Sequence, residues 1–307
     1  MASYGTDSLP FSQDSQKIFL DPARGSDGSG GSAIDNAVAG LATALARATA
    51  NRHDVVQYIA GASGINLAAA LNWNKNYTHL VGEGAMVPIA SRNRIFQLST
   101  LTGASPLVTI SASGCLFRNL YFFQGVDDAT SLINVKITGG RNRFEFVHFA
   151  GGGHVTQAID GGASLLLDGA EENYFFGCTI GVDTADAGSG LTGILFDSEA
   201  HRNTFENCTV RIRAGNGGAS WVEVADATGI DRDNTFINCR FINNSATPLT
   251  SGFVIPAGMG APRKLLLQDC MALGVTKLDA NDRGVLFGNM NAVTGADLSG
   301  VAVELIS

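Results

Sequence analysis

The chain has 307 residues, of which 45% are hydrophobic and 16% charged, and its formal net charge is −8. This length and apolar content are sufficient for a large core within one elongated domain. The acidic balance and the lack of a basic cluster argue against nucleic acid and anionic membranes as partners, and no apolar run is long enough to predict a transmembrane helix.

The chain opens on a polar, serine-rich segment without the basic start or the apolar centre of a signal peptide. We predict a flexible arm over residues 1–16 and synthesis in a cytoplasm, with any exit by a route other than secretion. Lys17–Leu20 predicts a short strand, and Asp21–Gly31 a turn-rich loop. Ser32–Ala50 is rich in alanine and leucine with apolar residues at helical spacing, which predicts a helix capping the open end of the structure that follows.

The remainder of the chain repeats the phrase Asn-x-Phe-x-x-Cys. With its cysteine position as a mark, the series runs Leu120, Val147, Cys178, Cys208, Cys239, Cys270 and Val301. The steps are 27, 31, 30, 31, 31 and 31 residues. A fixed period in this range indicates a solenoid or a related repeat array.

Each repeat predicts strands and a sharp corner. The mark and the residue two places later are apolar, which is the period of a strand with one buried face. The residue before the mark is in most repeats one that enters the left-handed backbone region easily: Asn119, Phe146, Gly177, Asn207, Asn238, Asp269 and Gly300. A further strand precedes each copy, at 108–110, 133–137, 165–167, 194–196, 221–224, 253–255 and 285–287. Stacked strand repeats of this kind predict a parallel β-helix.

Three columns of equivalent residues support this register. Asn142, Asn173, Asn203 and Asn234 lie two residues before the aromatic position, where stacked amides can bond from coil to coil. Directly before this position the charge alternates in sign through Arg141, Glu172, Arg202, Asp233 and Lys264. The third column is Cys178, Cys208, Cys239 and Cys270, which we interpret as free, buried thiols and not as disulfides.

The Asn-x-Phe-x-Asn-Cys repeat resembles right-handed parallel β-helix proteins of the pectate-lyase-like superfamily, which include bacteriophage tailspikes and other virion proteins. The Asp-Pro-x-x-Gly-Ser-Asp-Gly phrase at Asp21–Gly28 resembles the opening of many of these proteins. The resemblance covers roughly residues 55–307. It implies an all-β fold, a right-handed parallel β-helix with coils of about 30 residues, behind an N-terminal strand and capping helix at 17–54.

One carboxylate pair in the sequence is a candidate for catalysis. Asp168 and Asp197 follow equivalent strands and should be neighbours on adjacent coils. Such a pair can raise one pKa as a glycosidase needs, can bridge a cation, or can point into water as ordinary corner residues do. The lyase signature of the pectate family is absent, and no Cys or His spacing predicts a metal or cofactor site.

Other candidate residues have simpler interpretations. His148 lies between two core positions and should point outward on a strand as a surface residue. Trp221 begins a core strand and is interpreted as packing, whereas Trp73 could stack a sugar. The longest insertions, Gly181–Gly190, Ala225–Arg232 and Ala257–Pro262, should project and form any functional surface.

Two functional hypotheses follow, and a non-viral carbohydrate-binding module stays open as a third. The first is a non-enzymatic structural protein of a bacteriophage virion, in particular a trimeric head decoration or minor capsid protein that uses residues 1–16 to contact the major capsid protein. The trimer is implied by the resemblance to phage proteins of this fold. The second is a polysaccharide depolymerase or lyase of tailspike type that uses Asp168 and Asp197.

Overall fold

The computed structural model describes residues 13–62, 64–259 and 263–279, and the backbone of 285–288, 291–294 and 299–300. Most of the predicted arm, the end of the 257–262 insertion and the mark at Val301 lie outside the described residues. The strands are β1 Lys17–Leu20, β2 Val55–Tyr58, β3 Ile65–Leu67, β4 Leu71–Trp73, β5 His79–Gly82, β6 Arg94–Gln97, β7 Val108–Ile110, β8 Leu116–Phe123, β9 Ile133–Ile137, β10 Arg143–Ala150, β11 Ala163–Asp168, β12 Tyr174–Phe176, β13 Thr179–Ile180, β14 Thr192–Asp197, β15 Thr204–Glu206, β16 Thr209–Ile212, β17 Ser220–Val224, β18 Asp233–Ile237, β19 Arg240–Asn243, β20 Leu249–Val254, β21 Lys264–Gln268, β22 Met271–Asp279, β23 Val285–Gly288, β24 Asn291–Thr294 and β25 Ser299–Gly300.

Parallel pairing between successive coils builds three faces, and the chain is a right-handed parallel β-helix as predicted. Face 1 joins β1, β2, β5, the first half of β8, the first half of β10, β12, β15, β18, β21 and β23. Face 2 joins β3, β6, the second halves of β8 and β10, β13, β16, β19, the first half of β22 and β24. Face 3 joins β4, β7, β9, β11, β14, β17, β20 and the second half of β22.

The core is built from columns of equivalent side chains. Five rings of face 1 stack in register with centroid separations of 5.0, 4.7, 4.4 and 4.7 Å, namely Phe117, Phe144, Phe175, Phe205 and Phe236. This spacing follows from the distance of about 4.8 Å between paired strands. The four marks at Cys178, Cys208, Cys239 and Cys270 are buried free thiols, as predicted. Burial raises the pKa of the Cys208 and Cys239 thiols, so they remain protonated and pack as small apolar groups.

The corner prediction is confirmed at every position whose dihedrals are described. The residues before the marks have positive φ values of 50° to 61°: Asn119, Phe146, Gly177, Asn207, Asn238 and Asp269. A second left-handed position precedes the asparagine column, at Arg141, Glu172 and Arg202. The sequence pattern assigned these three residues only to the charge column, so these three coils turn at one more place than predicted.

The asparagine column is buried, and its amides bond from coil to coil. Asn203 Oδ1 accepts hydrogen bonds from the backbone N–H of Asn173 (3.1 Å) and from its Nδ2 (3.0 Å). Asn203 Nδ2 donates in turn to Asn234 Oδ1 (2.9 Å) and to Ala170 O (2.9 Å). Each amide therefore satisfies backbone groups that the corners would otherwise leave buried without partners.

The charge column also forms, at the surface. Glu172 pairs with Arg141 Nε at 2.7 Å and with Arg202 Nη2 at 2.5 Å. Asp233 and Lys264 stand in register with each other on β18 and β21. Exposed pairs of this kind contribute roughly 0.5 kcal/mol each, so they fix the register more than they stabilise the fold.

The N-terminal helix is shorter than predicted. The helix α1 spans Leu41–Arg47, and Ile34–Asn36 forms a single 3₁₀ turn; these are the helices of the described residues. The predicted helix over 32–50 is interrupted because Val38 forms a parallel bridge with Leu20 and Gly40 is extended. The buried face of α1 packs on β1, at the N-terminal end of the solenoid where the cap was expected.

Asn203→Ala should lower the free energy of unfolding by about 2 kcal/mol, because it leaves the Asn173 N–H buried without a partner and removes one of the two hydrogen bonds to Ala170 O. Thr204→Ala, at the neighbouring half-buried position, is the matched control and should cost less than about 1 kcal/mol. Urea unfolding followed by circular dichroism measures both variants. Equal losses would contradict a specific role of the ladder.

Candidate functional site

The predicted carboxylate pair lies at the ends of two adjacent strands of face 3. Asp168 and Asp197 stand directly in register on β11 and β14, so their predicted proximity is confirmed. Asp168 forms an ion pair with Lys136 of β9. Asp197 Oδ1 accepts a hydrogen bond from the backbone N–H of Ser198 at 2.7 Å.

The electrostatics of Asp168 differ from what a glycosidase acid requires. Partial burial acts to raise the pKa of this carboxyl, but the hydrogen bonds and charge of Lys136, with a hydrogen bond to Ser198, lower it overall. A general acid needs a raised pKa in order to hold its proton near neutral pH. Asp168 is therefore ionised and compensated by a lysine, which suits a structural ion pair better than proton donation.

A groove of about 240 Å³ lies on the outer side of face 2. Its floor is formed by residues at equivalent places on successive coils: Thr179, Asn207, Thr209, Arg211, Asn238 and Arg240. Pro88 and Ile89 form one wall, and both belong to a loop between β5 and β6 that we call the 84–92 loop. The sequence pattern did not predict a functional role for this loop, because the loop precedes the regular repeats and has no equivalent in their period.

The 84–92 loop is held at its base by a corner residue of the solenoid. The buried Asn119 Nδ2 donates to the carbonyl oxygens of Gly82, Glu83 and Gly84 at 3.2 to 3.3 Å. Ser91 Oγ donates to Asn119 Oδ1 at 2.8 Å. The tip, in contrast, presents apolar side chains to solvent, with exposed fractions of 49% for Met86, 37% for Val87 and 41% for Ile89.

His148 is the second anchor of the loop, and its interpretation as a surface residue is wrong. The side chain does point outward from face 2, but the loop covers it and it is only 4% exposed. Its Nδ1 accepts a hydrogen bond from the N–H of Ala90 at 3.1 Å, so Nε2 carries the proton and donates to Gly181 O at 2.9 Å. Burial lowers the pKa of His148 to about 4, and the ring is neutral near pH 7.

The predicted insertions contribute unequally to this groove. Asp183, in the 181–190 insertion, pairs with Arg211 at 3.0 Å and accepts a hydrogen bond from Asn244 Nδ2 at 2.6 Å. The 225–232 insertion does not line the groove. Trp221 is fully buried, as predicted, and Trp73 is 1% exposed, so neither indole can stack a sugar on the surface.

Within the described residues there is no cluster of three or more His, Cys, Asp or Glu side chains that could hold a metal ion. The same part of the chain contains no helix long and apolar enough to cross a membrane.

The groove on face 2 combines guanidinium and amide donors, hydroxyl groups and an apolar wall. This combination of groups is suited to binding a ligand.

Comparison with known proteins identifies the fold. No protein-family model matches the chain, and no curated protein matches it. Among solved structures, the pectate lyase Pel9A overlaps with a TM-score of 0.58 at 10% identity over 94% of this chain and 79% of its own. A pectin methylesterase from Aspergillus niger overlaps with a TM-score of 0.61 at 14% identity, over 94% of this chain and 89% of its own. A rhamnogalacturonan lyase overlaps with a TM-score of 0.61 at 16% identity, over 91% of this chain and 74% of its own. The chain thus has the pectate-lyase-like β-helix fold, whose structural neighbours are mostly polysaccharide-active enzymes.

Acid should destabilise the fold between pH 6.5 and about 4, because burial lowers the pKa of both His79 and His148 to about 4. Above pH 6.5 both rings are neutral in the folded and unfolded states, and their contribution to the free energy of unfolding is fully present. As the pH falls, the unfolded chain takes up protons first, so stability is lost progressively until the folded pKa is reached. For His148 the full shift corresponds to about 3 kcal/mol.

Urea unfolding across this pH range should give a shallower loss for His148→Asn than for the wild type. The asparagine retains an acceptor for the Ala90 N–H but does not titrate. Identical pH profiles for the two proteins would contradict the assignment of His148 as a buried neutral anchor.

Proposed function

We propose that the chain is a non-enzymatic structural protein of a bacteriophage virion, in particular a homotrimeric head decoration or minor capsid protein. The observation that carries the proposal is the use of polar side chains in coil-to-coil bonding. The asparagine column, the charge column and the Lys136–Asp168 pair all join neighbouring coils. Such bonding fixes the register of the coils, which suits a structural component of a shell.

The 84–92 loop supplies a candidate contact surface for the trimer. Its base is fixed by Asn119 and His148, while Met86, Val87 and Ile89 are exposed at its tip. Exposed apolar residues that a rigid base holds together are typical of protein–protein contacts. In the proposed assembly these side chains pack against a second copy of the chain, and residues 1–16 contact the major capsid protein.

A second candidate function is a polysaccharide depolymerase that uses Asp168 and Asp197. The direct register of the two carboxylates on β11 and β14 favours it. The ion pair of Asp168 with Lys136 opposes it, since it lowers the pKa of the carboxyl that would donate a proton. We therefore place this function second.

The triple variant Met86→Ser, Val87→Ser, Ile89→Ser should be monomeric in solution, whereas the wild type should be a trimer. The matched control is Ile34→Ser with Val155→Ser, two apolar residues exposed by 61% and 55% elsewhere on the surface, which should remain trimeric. Sedimentation velocity measures the mass of each. A monomeric wild type would contradict the trimer, and a trimeric triple variant would contradict the role of the loop.

Incubation with bacterial capsular polysaccharides separates the structural role from the enzymatic one. A structural protein should release no new reducing ends or unsaturated products. Release that disappears in Asp168→Asn and persists in Asp226→Asn, an exposed aspartate of another loop, would establish the depolymerase instead.

A further inference from the structure

A second groove, of about 350 Å³, lies on the outer side of face 1 near the starts of β5, β8 and β10. Neither functional hypothesis from the sequence assigns a role to it. We call it the His53 groove. Its polar and aromatic lining includes His53, Tyr77, Arg118, Arg141, Arg143 and Glu145. Three arginines and one glutamate line this groove, on a protein whose net charge is −8.

The arginines are positioned by Glu145. Its two carboxylate oxygens pair with Arg118 Nε at 2.6 Å and with Arg143 Nε. Each guanidinium has two further nitrogens with N–H donors beyond the Nε that Glu145 engages. Arg143 also lies over the ring of Tyr174, with 4.7 Å between the guanidinium carbon and the ring centroid, which holds it against the sheet.

Carboxylates next to the groove compensate the charge of its arginines. Arg141 pairs with Glu171 at 3.2 Å and with Glu172 at 2.7 Å. Glu172 is shared with Arg202 on the next coil, and Glu171 also contacts His201 at 3.4 Å. Glu206 accepts a hydrogen bond from Tyr174, on whose ring Arg143 lies. The wider cluster therefore holds four arginines and four carboxylates when His201 is neutral, so the groove offers directed guanidinium donors and no excess of positive charge.

A pair of histidines adds a fixed donor to the lining. The backbone N–H of Leu116 donates to His79 Nδ1 at 2.9 Å, so the neutral His79 carries its proton on Nε2. This proton is donated to His53 Nδ1 at 3.2 Å. In its neutral form His53 consequently carries a proton on Nε2, where it can act as a second donor of the groove.

An aromatic surface completes the arrangement. Tyr77 is 44% exposed, and its ring lies 5.2 Å from that of His53. Gly114 makes this position possible, since a Cβ there would lie 2.5 Å from the Tyr77 ring. An exposed ring beside cationic donors matches a ligand that has both a ring face and a negative group.

We propose that the His53 groove binds a small cyclic molecule that carries an oxyanion, such as a sugar with a phosphate, sulfate or carboxylate group. The oxyanion lies against Arg118 and Arg143, and the ring of the ligand stacks on Tyr77. Binding of this kind needs no catalysis and is independent of the assembly proposed above.

Isothermal titration calorimetry of the full chain at low salt tests the proposal with glucose 6-phosphate, glucose 6-sulfate and glucuronate, which distinguish the three oxyanions. At least one of them should bind. Glucose should not bind, and inorganic phosphate should bind more weakly than the best ligand because it cannot use Tyr77. Absence of binding by all three charged sugars, or equal binding of glucose, would overturn the proposal.

Variants separate recognition from general charge effects. Arg143→Gln should weaken binding by about tenfold or more, since it removes a charged donor. Arg213→Gln, a similarly exposed arginine outside the groove, is the matched control and should bind as the wild type does. Equal effects of the two arginine variants would overturn the proposal.

Discussion

The constraint on which the whole molecule depends is the register between coils. Adjacent strands lie about 4.8 Å apart, so a side chain repeated at the coil period lies on its own copy in the next coil. The phenylalanine stack, with centroids 4.4 to 5.0 Å apart, uses this for apolar packing. The asparagine column uses the same spacing for hydrogen bonds. A slip of one residue would exchange the inner and outer sides of every strand, so both columns would fail together.

Register also explains where polar chemistry can occur in this chain. The asparagine amides, and the charges from Arg141 through Glu172 to Arg202, are bonded from coil to coil, and a chemical group of another kind would interrupt the column. Both grooves are accordingly completed by residues from outside the regular repeats. Pro88 and Ile89 close the groove on face 2, and His53 and Tyr77 close the groove on face 1. In each case the repeats supply the arginines and the irregular segment supplies the wall.

The sequence predicted what the period controls. The strands and the left-handed corners depend on residue spacings within one repeat, and the three columns depend on the repeat period. Each of these features occurs in several repeats, so the sequence shows it more than once. What it could not predict depends on single long-range contacts. Val38 interrupts a helical pattern because it pairs with Leu20, and His148 is buried because a loop 58 residues away covers it. Neither partner follows from local propensity, and a histidine at an outward strand position reads as exposed until the covering loop is known.

The carboxylate pair shows the same division between what the repeat predicts and what it does not. The proximity of Asp168 and Asp197 followed from the repeat and is confirmed, but the consequence for their chemistry did not follow. Lys136 stands at an outward position of the preceding coil and compensates Asp168, so the environment reverses the shift in pKa that two adjacent carboxylates alone would produce. Position on a β-helix therefore determines which residues meet, whereas the neighbouring coil determines what they can do.

Departures from the repeat are consequently the most informative places in this fold. His53 and Tyr77 adopt left-handed backbone conformations with φ of 62° and 51°, outside the repeated corner positions. For residues other than glycine this conformation costs roughly 1–2 kcal/mol, so a set of contacts must hold it in place. The bond from His79 and the space left by Gly114 belong to those contacts. They hold two rings in the lining of the groove that the arginines also line, which no requirement of the solenoid explains. This is the physical reason for assigning a ligand to that groove and a scaffold role to the coils beneath it.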